Sequence, residues 1–227
     1  MSHPDLSPAD YVAFHSGRFE LTFRAAHRFL PPQAQVAVIG GSPFDATLAQ
    51  RYPGWAMRNV LLVPRAEAGG SLGAPPSFEG APVAVGGDPG PLGGAFDLVL
   101  CTEVIEHILE DDELLLHSLA QLLRPGGELV LSVPNAAGFG NRVKLVLGRN
   151  VHWDKRSILR GTLGGYGHIR EYTFDEVRTL LRAEFEIQLL TGVGGYRKGA
   201  LRALDLLPRT FANTIVAVAR RVPDRSR

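Results

Sequence analysis

Three residues within one five-residue stretch, Glu103, Glu106 and His107, carry the densest chemistry in the sequence. Residues three and four apart lie on one side of a helix, so a helix through this stretch would gather two carboxylates and an imidazole. Such a set suits a hard-to-borderline divalent ion, magnesium or manganese. Two other readings stand beside the metal. Acids at a helix start are favoured by the helix dipole alone, and His107 or His168 can act as general base because an imidazole titrates near neutral pH. Cys101, two residues upstream, has no activating neighbour in sequence and reads as a small buried residue rather than a nucleophile.

Strands and helices must hold these groups in place. Residues 36–39 form a short apolar run without alternation, followed at once by Gly40-Gly41-Ser42-Pro43, the pattern of a strand buried on both faces that feeds a tight turn. Residues 60–63, 83–85, 96–101 and 128–133 read as four further strands, and 185–190 and 213–220 as two late ones joined by a long loop. Between them lie helical segments. One starts at Ser7-Pro8, runs toward Leu30 and is ended by Pro31-Pro32; a short one covers 45–51. A third is expected from about 104 to 123, its main part opened by Asp111, Asp112 and Glu113, with Leu115, Leu119 and Leu122 on a shared face. Thr173-Phe174-Asp175-Glu176 is a capping box for a fourth. Strands alternating with helix-length connections predict an α/β fold, a mostly parallel sheet with helices on both faces. Residues 134 to about 170 carry no clean period and are a candidate substrate cap, in which Trp153 and Tyr166 are placed to stack on a flat molecule.

Composition excludes several classes. The chain has 227 residues, enough for one domain with a sizeable core. Lys plus Arg number 24 against 23 acids, a net charge of +1 that gives no global drive toward nucleic acid or anionic membrane. A single cysteine precludes an internal disulfide or a multi-cysteine metal site and fits a reducing, cytoplasmic setting. No apolar run approaches the ~20 residues of a membrane span, and the first ten residues lack a secretory pattern. Gly and Pro together make 42 of 227 residues, above the roughly 12% of average usage, which means either long loops or the tight turns of a nucleotide-binding sheet.

Two stretches, Phe-Asp-Leu-Val-Leu-Cys-Thr-Glu-Val-Ile-Glu-His-Ile at 96–108 and Leu-Arg-Pro-Gly-Gly-Glu-Leu-Val-Leu-Ser-Val-Pro-Asn at 123–135, resemble class I S-adenosylmethionine-dependent methyltransferases. The stretch Gly-His-Ile-Arg-Glu-Tyr-Thr at 167–173 looks like the segment before the penultimate helix of small-molecule members. The resemblance covers roughly 34–220 and implies a Rossmann-like, three-layer sandwich around a seven-stranded sheet whose last strand is antiparallel. It also implies one methyltransferase domain over 1–227: an N-terminal helical cap (1–32), a cofactor-binding half (34–133), a substrate cap (134–172) and a C-terminal helix with strands (173–220). Gly40, Gly41 and Ser42 would then hold the cofactor's amino-acid end, Asp88 its adenine amino group and Pro89 the ring, with Thr102 and Glu103 beside the sulfonium. The Glu-x-x-Glu-His pattern is similar to that of ubiquinone-pathway O-methyltransferases and small-RNA 2′-O-methyltransferases, where it binds metal. This implies Glu103, Glu106 and His107 as ligands with a further histidine completing the site, His168 as first candidate and His152 as second.

The family pattern is not met everywhere. Ser42 and Phe44 stand at the second and third glycine positions, Val38 replaces a common acid, and no ribose-binding acid follows Val63, with Glu67 further along. The expected function is in-line methyl transfer from S-adenosylmethionine to a small-molecule acceptor, at oxygen, with His107, His168 and Glu103 as the catalytic groups. The alternative is a methyltransferase-like binding or scaffold protein with a degenerate cofactor site. A nicotinamide-dependent dehydrogenase is disfavoured, because Gly40–Asp45 does not form Gly-x-Gly-x-x-Gly. Arg170, Glu171 and Tyr172 either orient the acceptor or form a helix-entry salt bridge, and Arg18 is read as part of a solvated helix face.

Overall fold

In a computed structural model of the protein, residues 8–40, 44–63, 80–152, 168–194 and 208–223 are described, the side chains of 8–15 excepted. Seven strands form one sheet: β1 (Ala34–Ile39), β2 (Trp55–Val63), β3 (Ala81–Ala84), β4 (Phe96–Thr102), β5 (Leu123–Pro134), β6 (Phe185–Val193) and β7 (Thr214–Arg221). Their order is β3-β2-β1-β4-β5-β7-β6. All neighbours up to β5 are parallel, whereas β7 runs antiparallel to both β5 and β6. Glu128 of β5 ties the last three strands together, accepting hydrogen bonds from Arg220 Nε of β7 (2.9 Å) and Gln188 Nε2 of β6 (3.2 Å).

Side chains two apart on a strand share a face, and the core follows that rule. Val36, Val38, Leu98, Leu100, Val130 and Val218 face one side, where Phe23 and Ala26 of helix α1 (Pro8–Ala26) and Leu48 of α2 (Asp45–Arg51) cover them. Ala37, Ile39, Val99, Cys101, Leu129, Leu131 and Ala217 face the other, against Leu115, Leu119 and Leu122 of α3 (Asp112–Leu122). Val177 and Leu181 of the later helix α5 (Phe174–Leu181) complete this layer. The three-layer sandwich expected from sequence is present. The unbroken apolar runs are explained by burial on both faces.

Two elements differ from expectation. The helix expected over 104–123 is a 3-10 turn at Ile105–His107 followed, after a break, by α3. Asp111 sets the new start: its Oδ1 accepts the backbone N–H of Glu113 (2.9 Å) and of Leu114 (3.1 Å), closing the open end of α3. Residues 134–170, read as lacking a period, contain helix α4 (Phe139–Val146), none of whose residues is buried. The capping box is present as expected. Thr173 Oγ1 accepts the Glu176 N–H (3.4 Å) while Glu176 Oε2 accepts the Thr173 N–H (2.7 Å). No described helix is long and apolar enough to cross a membrane.

Candidate active site

Strand order reverses between β1 and β4, and in an open α/β sheet the crevice beyond the carboxyl ends of two such strands is where ligands bind. Gly40 closes β1 with φ +78°, and its N–H donates to the Val60 carbonyl of β2 (2.9 Å). A Cβ at Gly40 would lie 3.4 Å from Val104 Cγ2, so the two strand ends meet across this glycine. Of the residues expected to hold the cofactor, Gly41 and Ser42 lie outside the described residues. Asp88 is exposed after β3, and its Oδ1 accepts the Gly90 N–H (2.8 Å). Pro89 follows it, half-buried. Thr102 ends β4, half-buried and paired with Ser132.

Phe44 does not enter the crevice. It is buried and stacks on Phe19 of α1, with ring centroids 4.2 Å apart and planes 11° apart. Val38 is buried in the core against α1 and α2. Glu67, the stretch after Val63 that bears on the ribose, and the cap aromatics Trp153 and Tyr166 lie outside the described residues.

Glu103 departs from the helical projection made for it. Among the described residues it is the one non-glycine with positive φ, +57°, so the chain turns sharply at the end of β4. Its Oε2 lies 2.5 Å from Arg18 Nη1 on α1, and its Oε1 accepts the Ser132 hydroxyl at 2.9 Å. Both charged side chains are largely covered, at 17% and 13% exposure. Arg18, read from sequence as part of a solvated face, is thus a partly buried ion-pair partner. A contact between residues 85 apart leaves no periodic trace in sequence.

The remaining groups do converge. One ligand atom each from Glu106, His107 and His168 lies within 4.8 Å of the others, and Glu103 is not in this group. Three of the four expected ligands are thus brought together, while Glu103 is turned toward Arg18 and Ser132. Backbone bonds place His168: the Ile169 N–H donates to the Glu106 carbonyl at 2.8 Å, so the segment before α5 docks on the 3-10 turn. The imidazoles of His107 and His168 meet edge to face at 5.1 Å. His168 Nδ1 lies 3.1 Å from Glu171 Oε1. A proton shared there leaves Nε2 as the lone-pair nitrogen, the arrangement by which a carboxylate orients a ligating imidazole.

Glu106 is fully buried and neither carboxylate oxygen has a hydrogen-bond partner. His107 Nε2 lies 3.8 Å from its Oε1. Burial, and next the negative charge of Glu103, push its carboxyl well above the usual carboxylate range, against the opposing pull of Arg18. Glu171 moves the other way. Burial works to raise it, but the His168 hydrogen bond and charge, with Asn141, hold it below the usual range.

Other expected site residues serve as supports. Arg170 pairs with Asp112 (3.0 Å) and Glu176 (2.8 Å), and the buried Tyr172 donates its hydroxyl to Asp112 Oδ1 (2.7 Å), so both secure the entry to α5. His152 is exposed and stands outside the Glu106 group. The Cys101 thiol is fully buried, and burial pushes its pKa far up, consistent with an inert core residue. Sequence reasoning assigned no role to Ser132 or Asn135 and read Arg18 as solvated. Of these Asn135 left a trace, a polar residue straight after the apolar run of β5. It is buried, its Nδ2 donates to the carbonyls of Thr210 (2.9 Å) and Ala212 (2.7 Å), and its Oδ1 accepts the Ala137 N–H (3.0 Å).

Residues 79–186 match a family model described as a methyltransferase domain, a stretch that reaches from before β3 to the start of β6 and holds the whole Glu106 cluster. Among solved structures, an S-adenosylmethionine-dependent methyltransferase from Thermotoga maritima is 14% identical over 92% of each chain, with a TM-score of 0.56. One from Mesorhizobium loti is 17% identical over 88% of this chain and 98% of that one, with a TM-score of 0.52. The Burkholderia thailandensis 1,6-didemethyltoxoflavin-N1-methyltransferase, solved with 1,6-didemethyltoxoflavin and S-adenosylhomocysteine, is 18% identical over 98% of this chain and 94% of that one, with a TM-score of 0.52. At such identities the likeness is one of fold. No curated protein matches the chain in sequence. A methyltransferase-domain sequence match over 79–186 thus sits within a sheet that has the fold of S-adenosylmethionine-dependent methyltransferases.

Proposed function

We propose that this protein transfers a methyl group from S-adenosylmethionine to an oxygen of a small-molecule acceptor, and that Glu106, His107 and His168 hold a divalent ion beside the acceptor. The observation that carries the reading is the Glu106 carboxylate, fully buried, without a hydrogen-bond partner and flanked by two imidazoles. An unpartnered buried carboxylate is costly, and an ion is the partner that suits it. One carboxylate and two imidazoles form a borderline donor set, better matched to manganese than to magnesium.

The cofactor fits the crevice at the strand switch, where Gly40 offers backbone without a side chain between β1 and Val104. Gly40, Gly41 and Ser42 would receive its amino-acid end, Asp88 and Pro89 its adenine, and Thr102 and Glu103 would flank the reacting centre. When bound it supplies a methyl already activated on a sulfonium, so the protein's task is alignment and exclusion of water. Helix α1, pinned to the strand ends by Arg18 and Phe19, closes one wall. Held by these residues, the ion would supply charge that favours ionisation of an acceptor hydroxyl; without an ion, His107 or His168 would take that proton as general base. Phe44, a residue that suggested a degenerate scaffold, stacks on Phe19 of α1.

Calorimetric titration with S-adenosylhomocysteine, with and without manganese, tests the reading on the wild type and on Glu106→Gln. S-adenosylhomocysteine binding by both proteins is expected, with manganese binding by the wild type alone. Absence of cofactor-product binding at millimolar concentration would overturn the methyltransferase reading. Equal manganese affinity in the two proteins would overturn the ion site.

A further inference from the structure

Among the described residues seven large apolar side chains are exposed, and six of them fall into two patches. Val143, Leu145, Val146 and Leu147 belong to α4 and its end; Leu109 and Ile169 border a groove lined by parts of 108–113 and 169–180. Helix α4 is turned inside out for a surface helix. Asn141 marks its protein side, donating to the Ala136 carbonyl (3.1 Å) and to Glu171 Oε2 (3.2 Å). Val143, Val146 and Leu147, three and four residues apart, share the other side, and Val146 is 86% and Leu147 63% exposed. A surface helix ordinarily buries its apolar stripe, and an apolar stripe shown to solvent marks a contact surface.

The two patches carry opposite charge. Residues 139–150 include Arg142, Lys144 and Arg149 and no acid. Around the groove 110–113 and 175–176 are all acidic, and Arg170 is the one base in the lining. Asp111 caps α3 and Asp112 and Glu176 hold Arg170, yet the acids outnumber that base and leave the groove negative. The patches also adjoin: Glu171, which accepts from Asn141 of α4, follows Arg170 of the groove.

We infer that two copies of this chain associate about a twofold axis, the basic apolar side of α4 in each copy lying along the acidic apolar groove of the other. A twofold contact requires both complementary patches on one face of the chain, and their meeting at Glu171 puts them there. Packing α4 on α4 would set like charges together, whereas α4 in the groove pairs opposite ones and fixes the orientation of docking. The inference does not depend on the ion proposed above.

Sedimentation equilibrium of the full chain tests it. The wild type should dimerise, and more weakly as sodium chloride rises from about 0.1 M to 1 M, where the screening length falls from about 10 Å to 3 Å. Val146→Ser and Leu109→Ser change one exposed residue in each half of the contact, Leu109 being 76% exposed. Each should raise the dimer dissociation constant about tenfold or more, with the circular dichroism spectrum unchanged. Leu147→Ser and Ile169→Ser replace them should either fail to fold. A wild type that is monomeric at about 100 μM overturns the inference, as does a dimer that salt does not weaken. So does a loss confined to one of the two halves, since α4 or the groove would then meet something else. A monomer that co-sediments with phosphatidylglycerol–phosphatidylcholine vesicles, and ceases to in Val146→Ser, overturns it in favour of a lipid surface on α4.

Discussion

Replacing Gly40 with alanine separates two effects of a glycine at a strand end. Its φ of +78° is left-handed, a conformation that an L-residue adopts at a cost of roughly 1–2 kcal/mol. The added Cβ meets Val104 Cγ2 at 3.4 Å and Cγ1 at 3.7 Å, ordinary contacts, so the protein itself accommodates the methyl. Gly126 is the matched control. Its φ is +76°, nothing lies within 4 Å of a Cβ there, and it sits at the opposite end of the sheet from the crevice. Gly40→Ala and Gly126→Ala should therefore lose similar stability in urea denaturation, about 1–2 kcal/mol each. Only Gly40→Ala should lose affinity for S-adenosylhomocysteine, because its methyl occupies space that the ligand needs. Overfilling a fitted site costs about 1–3 kcal/mol, or roughly 5- to 150-fold in Kd. Calorimetric titration of both variants decides the matter. Affinity in Gly40→Ala within about twofold of Gly126→Ala refutes the placement of the cofactor against the β1 end, whatever the stability data show.

Asn135→Ala should lower stability by about 2–3 kcal/mol, since two carbonyls and an amide in a buried site lose their partner; a fall in Tm of about 4–12 °C is expected, and a shift below about 2 °C would overturn that account of the loop tie. Glu176 carries a pH signature. Burial raises its pKa, but the Thr173 hydrogen bonds and the Arg170 pair outweigh it and hold the group below 4.5. A depressed folded pKa gives stability that is fully present above the unfolded value and lost as pH falls through the folded one. The stability gap between wild type and Glu176→Gln should thus be constant above about pH 5.5 and narrow progressively below about pH 4.5; a gap that does not narrow in acid refutes the assignment.

What the sequence disclosed follows the range of the physics involved. The parallel strands were legible because burial on both faces leaves unbroken apolar runs such as 36–39 and 96–101, and the Thr173 capping box because its partners are three residues apart. Helix α4 was not, since a helix with no buried residue has no core face to impose a period. The Glu103/Glu106/His107 cluster was found for its residue types and misplaced in geometry. Ideal helical spacing was assumed across Glu103, whose left-handed backbone swings its carboxylate toward α1. His168 was named through the family resemblance, 61 residues beyond His107, and the bond from Ile169 N–H to the Glu106 carbonyl is what brings the two imidazoles together. Arg18 and Ser132 reach Glu103 from positions 85 and 29 residues away, and no local pattern encodes such contacts.

The position of β7 has a consequence for how the protein is made. Strand β6 joins the sheet through β7 alone, and β7 follows it in sequence while lying between β6 and β5. As the chain leaves the ribosome, β5 and β6 are therefore both complete before β7, the neighbour they share, is available. Leu129, Val130, Leu131 and Val133, all fully or almost fully buried in the finished sheet, border an open edge during that interval. An unpaired apolar edge invites pairing with other chains. The sheet closes only when Thr214–Arg221 inserts between two waiting strands, so the last strand to emerge is the one that ends the period of exposure.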